Sequence, residues 1–125
     1  MKEIEGIILK LGTEDRNGHV FSKDCKIDYP DKIPITIGYN FDKPGNVVGN
    51  AKVIRNDDTL SIQGEIIDNT IDTLIEKEIY THLGFYASNV KTKDNNVISM
   101  FIRSVVLLTE KEAALDYCKI IKKEK

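Results

Sequence analysis

"NVVGNAKVIRNDDTLSIQGEII" (Asn46–Ile67) holds two β-rich runs on either side of Asn56-Asp57-Asp58-Thr59. Asn and Asp tolerate the backbone conformations of a tight turn, so this stretch predicts a β-hairpin. Inside its first arm, Gly49 marks a place where another backbone comes close, whereas Gly45 beside Pro44 reads as a turn. Upstream, Pro30 and Pro34 bracket a linker into a strand in which Ile33, Ile35 and Ile37 alternate with Pro34, Thr36 and Gly38. A period of two places the three isoleucines on one face. Downstream, Ile71, Leu74, Ile75 and Ile79 recur at helical spacing between Thr70 and Tyr80, and Asp68, Asn69 and Thr70 offer N-cap oxygens. Leu83–Val90 and Val97–Leu108 form a second strand pair joined by "KTKDNN", the later strand apolar enough to be central. Thr109 and Glu112 have the spacing of a capping box, which predicts a last helix near residues 110–122 with Ala114, Leu115, Cys118 and Ile121 facing inward. At the start of the chain, Glu3–Leu11 reads as a strand and Gly12–His19 as a loop, after which Val20 and Phe21 open a short strand or connection. The expected fold class is α+β: one domain over 1–125, with a mostly antiparallel curved sheet or barrel and two helices.

Composition narrows the partners. Apolar residues make up 41% and charged residues 30%, the balance of a soluble globular domain. A net charge of −2 from 18 basic and 20 acidic residues leaves no broad footprint for nucleic acid. The basic cluster of Lys119, Lys122, Lys123 and Lys125 reads as the solvated end of the expected last helix. Cys25 and Cys118 lie far apart in sequence and outside metal-ligand or CxxC spacing, so two thiols in a reducing cytoplasm are expected. No apolar run approaches the length of a membrane span, and the N-terminus has charges and no cleavage site, so neither membrane insertion nor secretion is expected.

Three segments carry a resemblance. They are "IPITIGYNFDKPGNVVGNAKV" (Ile33–Val53), "THLGFYASNV" (Thr81–Val90) and "MFIRSVVLLTEKEAAL" (Met100–Leu115). In order and spacing they resemble the landmark segments of the tailed-phage prohead (capsid maturation) protease family. The first landmark there is an apolar strand, a His-Asp pair, a short loop and an apolar-apolar-Gly. The second is a strand with a Ser before a Gly-aromatic, and the third an apolar strand bearing a Glu and followed by a short helix. The chain keeps Asp42, Val48-Gly49, Gly84-Phe85 and the apolar run Val105–Leu108. Phe41 stands where the family has its His, His82 where it has the nucleophilic Ser, and Arg103 near the Glu. The resemblance covers Ile33 to Ile121 and implies the protease fold without its catalysis, the three positions converging on a vestigial site.

Other chemistry is poorly supplied. A Ser-His hydrolase needs a nucleophile within hydrogen-bond reach of a base. His19 lies in a polar loop and reads as solvated. Thr81 adjoins His82, but neighbouring strand side chains point to opposite faces. Ser88 is six strand residues beyond His82, roughly 20 Å at the rise per strand residue. Ser104 has no acid or imidazole near it in sequence, and Cys25 or Cys118 would meet either histidine only by an accident of the fold. The acids are not spaced with histidines as zinc ligands, and Asp15, Asn17 and Gly18 lack the remaining ligands of a calcium loop. No cofactor or metal is expected.

The expected function is that of a non-catalytic phage virion protein, a capsid decoration or auxiliary protein that binds the major capsid protein or another virion protein. Its place would be the capsid, with the host cytoplasm during assembly, and homo-oligomerisation is left open. The alternatives are a divergent maturation protease of serine type and a scaffold or core protein of the prohead.

Overall fold

The structure, a computed structural model, describes residues 2–14, 18, 20–37, 44–113, 115 and 117–123. Among them are eight strands and one α-helix. The strands are β1 (Lys2–Lys10), β2 (Val20–Asp28), β3 (Ile33–Ile37), β4 (Val47–Asn56), β5 (Thr59–Ile66), β6 (His82–Lys93), β7 (Asn96–Leu108) and β8 (Ile121–Lys123), and the helix is α1 (Asn69–Glu76). The hairpin read from Asn46–Ile67 is β4–β5, paired from Gly49–Ile66 to Asn56–Thr59, with Asp57 in the left-handed region at φ 54°. β6 and β7 form the second hairpin, turning through Asp94 and Asn95 at φ 51° and 68°. Aspartate and asparagine are the non-glycine residues that enter this region at least cost, which is why both turns form without glycine.

β7 organises the sheet. Along one edge it pairs with β6 throughout; along the other it pairs first with β2 (Val20–Asn96 to Asp28–Phe101) and then with β3 (Ile35–Val105 to Ile37–Leu107), both in parallel. From β3 the sheet continues through β4, β5 and β1 to β8 by antiparallel pairing. With both edges paired, β7 is covered on both faces near its end: Val105, Val106, Leu107 and Leu108 are all buried. Ile4, Ile8, Ile33, Ile35, Leu60, Ile62, Ile66, Ile75 and Ile102 complete the centre of the core, each side chain there contributing on the order of 1.5–3 kcal/mol by burial.

These pairings correct the expected architecture. The sheet is open and not a barrel, and it is mixed: five of its seven pairings are antiparallel, as expected of most of them, but β2 and β3 join β7 in parallel. The class is mostly β with one helix, not α+β with two. The expected helix at 70–80 is α1, capped where the sequence placed its cap: the Asp68 carboxylate accepts a 3.0 Å hydrogen bond from the Ile71 amide, and Ile71 and Ile75 are buried. The expected helix at 110–122 is absent among the described residues of that stretch. Its capping bonds do form, since the Thr109 amide and hydroxyl both donate to Glu112 Oε1 at 3.1 and 2.9 Å. They close a single turn, and nothing propagates it. The chain instead extends: the Leu83 amide donates to the Cys118 carbonyl (2.7 Å), the Ile120 amide to the Thr81 carbonyl (2.9 Å), and β8 pairs with β1. Leu115 and Cys118 are buried as expected, but at a turn in which the Cys118 amide donates to the Leu115 carbonyl (3.3 Å), and Ile121 is exposed; Ala114 lies outside the described residues.

Candidate functional site

His82 is the first residue of β6. It lies opposite Leu108 of β7 on one side and bridges Lys119 on the other, and is 6% exposed. Its Nδ1 lies 2.8 Å from the Thr81 hydroxyl. The expected opposition of these two side chains is thus corrected: Thr81 precedes the strand, so strand alternation does not apply to it. Around them is a cleft of about 270 Å³ with Ile75, Tyr80 and Ile120 in its walls and Glu78, Glu110, Lys119 and Lys122 bringing charge.

Glu78 reaches this cleft from the end of α1 by an uncommon backbone. The Glu78 amide donates to the Ile75 carbonyl (3.1 Å) and the Ile79 amide to the Leu74 carbonyl (2.9 Å), the paired bonds of a Schellman helix end. That motif puts the residue after the C-cap in the left-handed region, usually a glycine; here it is Glu78, at φ 60°.

Arg103 lies elsewhere. It occupies a bulge of β7, between the pairs Tyr86–Ser104 and Ala87–Ile102. Its Nε donates to the Ser88 hydroxyl at 2.7 Å, and its guanidinium lies 4.4 Å from the centroid of the Phe101 ring. Five strand residues separate Arg103 from Leu108, the partner of His82, or roughly 17 Å at the rise per strand residue. The expected convergence of His82 and Arg103 is therefore not found, and Phe41 lies outside the described residues, as do Asp42 and His19.

The remaining nucleophiles are quiet. Cys25 and Cys118 are free and buried, and burial raises both thiol pKa values, that of Cys118 to about 12. Neighbouring cations, Arg55 for Cys25 and Lys10 for Cys118, offset only part of this. Ser104 is fully buried, and its hydroxyl has no hydrogen-bond partner among the described residues. Among the described residues no group of three His, Cys, Asp or Glu side chains could hold a metal ion, and no helix is long and apolar enough to cross a membrane.

A second surface feature was not legible in the sequence. The Ile67 amide donates to the Val48 carbonyl (2.8 Å), which sets the exposed side chains of Val47 (42% exposed) and Ile67 (59%) together at a shallow groove of about 480 Å³, also lined by Lys32, Pro34 and Asp68. Both residues sit at strand ends, where periodicity assigns no face.

Comparison of the chain with protein-family models, with characterised proteins and with solved structures found no match, so the resemblance to prohead proteases rests on the residues that carry it.

Proposed function

We propose that the chain is a non-catalytic structural protein of a phage virion, a capsid decoration or auxiliary protein that docks on the major capsid protein. The observation that carries binding over catalysis is the separation of His82 from Arg103, each engaged in local structure: His82 with the Thr81 hydroxyl, Arg103 with Ser88 and Phe101. No shared reacting centre joins them. The capsid as partner comes from the resemblance of the three segments. For docking, the groove at Val47 and Ile67 offers two exposed β-branched side chains beside Lys32 and Asp68, an apolar centre with a charged rim. Co-sedimentation of purified protein with assembled capsid shells tests the reading. Saturable binding weakened by Ile67→Asp is expected; absence from virions and proheads, with no affinity for assembled capsid protein, overturns it.

One observation favours a second reading, a divergent serine-type maturation protease in which threonine supplies the hydroxyl. The Thr81 hydroxyl lies within hydrogen-bond reach of an imidazole nitrogen, at 2.8 Å. Stoichiometric labelling by a fluorophosphonate probe, lost in Thr81→Val, would establish this reading and displace the first.

A further inference from the structure

The His82 cleft combines three features that the docking reading does not use. First, His82 is 94% buried by its 6% exposure, its Nδ1 is taken by Thr81, and its Nε2 has no partner among the described residues. Second, two carboxylates (Glu78, Glu110) and two ammonium groups (Lys119, Lys122) line the same cleft, and none of the four forms an ion pair among the described residues. Opposite charges gathered at one cleft without neutralising one another leave both signs available to a ligand. Third, Glu78 holds its place from a left-handed backbone position that glycine would occupy at lower cost.

From these we infer that the cleft is a binding site for a small zwitterion, an amino acid or dipeptide bearing one carboxylate and one ammonium group. Lys119, Lys122 and the His82 Nε2–H receive the carboxylate, while Glu78 and Glu110 receive the ammonium. Ile75, Tyr80 and Ile120 cover the apolar part between the two ends. At about 270 Å³ the cleft lies just below the range of pockets that take drug-sized ligands, which restricts it to something of dipeptide size. A hydroxyl can donate or accept, so the Thr81 bond is compatible with either His82 tautomer; the proposed complex uses the one in which Nδ1 accepts from Thr81 and the Nε2–H is left for the ligand carboxylate. The site shares no residue with the groove at Val47 and Ile67, so it stands or falls separately from capsid docking.

The test is an amide ¹H–¹⁵N titration of the full chain with L-alanyl-L-alanine into the millimolar range, run beside N-acetyl-L-alanine (anion only) and L-alanine amide (cation only). The inference expects saturable shifts centred on Thr81, His82, Lys119 and Ile120 with the dipeptide, and at least about tenfold weaker binding of either singly charged analogue. Glu78→Gln and Lys119→Gln, both at exposed positions, should each weaken dipeptide binding about tenfold with the rest of the spectrum unchanged. Glu78→Gly adds a second readout, because it should raise the melting temperature while losing the same affinity. No response to the dipeptide, an equal response to either singly charged analogue, or shifts scattered outside the cleft would overturn the assignment.

Discussion

Replacing Gly49 by alanine should strongly destabilise the protein, and the size of the effect follows from the β4–β5 ladder. Gly49 is paired on both sides, with Ile35 of β3 and Ile66 of β5. A Cβ built on its backbone would fall inside the van der Waals envelope of the Glu65 carbonyl oxygen, and lie 3.0 Å from the Glu65 carbonyl carbon and 3.2 Å from the Ile66 Cα. All three obstructing atoms are backbone, so no side chain can swing away and β4 must move off β5. Overpacking of this kind costs about 1–3 kcal/mol. Losing one or two ladder hydrogen bonds near the end of the pairing adds about 1 kcal/mol each. A total of about 2–5 kcal/mol is a large part of the 5–15 kcal/mol available to a domain of this class. Urea unfolding followed by far-ultraviolet circular dichroism measures it: with a slope of about 2 kcal/mol per molar, the midpoint should fall by about 1–2.5 M. Gly45→Ala is the control, since a Cβ there meets nothing within 4 Å, and it should stay within about 0.5 kcal/mol of the parent. A Gly49→Ala midpoint indistinguishable from that of Gly45→Ala, with unchanged slope, would refute the close approach of β4 and β5.

Three further outcomes are expected. Ser104→Ala should stabilise by about 1 kcal/mol in the same urea assay, because it removes a fully buried hydroxyl that lacks a partner among the described residues; a loss of 1 kcal/mol or more would show that the hydroxyl is satisfied. Asp68→Ala should cost about 1 kcal/mol by removing the N-cap of α1, with Asp68→Asn recovering most of it, as read from thermal melts. Cys118 sets an alkaline limit: its folded pKa, about 12, lies above its ordinary value of 9.0, so its contribution is fully present below pH 9 and is lost as pH rises from 9 towards 12. The loss reaches up to about 4 kcal/mol at the top of that window, and Cys118→Ala should show a shallower decline between those limits than the parent.

Local signals carried much of the strand layout. The two hairpins were legible because Asn56–Thr59 and Asp94-Asn95 concentrate turn-forming residues between β-rich runs, and Asp68 announced α1 through a bond three residues long. Gly49 was legible for a similar reason, since a glycine inside a strand marks a bulge or a close backbone approach. What failed was non-local. Nothing in the local pattern of β2 or β3 distinguishes a parallel partner from an antiparallel one, so the mixed sheet was hidden. The last helix failed because Thr109 and Glu112 make their bonds in a lone turn as readily as in a helix, and the three-residue spacing of Leu115 and Cys118 suits a turn as well. The candidate site was half legible. His82 is legible as an imidazole at a strand start, but its hydroxyl partner is not, because Thr81 lies one residue before the strand, where alternation no longer holds, and the charges from the segments around Glu78, Glu110 and Lys119 meet only through the tertiary fold.

The sharing of one β7 edge between β2 and β3 has a consequence for how the chain is made. As the polypeptide leaves the ribosome, β3, β4, β5 and β1 can associate once Ile66 has emerged, since all their pairings lie within that stretch. β2 has early contact only at its first residues, through the Glu14–Val20 bridge and the bonds of Phe21 with Gly12 and Thr13: its ladder runs to Asn96–Phe101, on the order of 75 residues later. Until then Phe21 and Cys25, buried in the finished protein, wait uncovered on a strand with an unpaired edge. Truncation after β5 should therefore leave β2 open to proteolysis and to pairing with other chains, and translational pausing before β7 would lengthen that exposure.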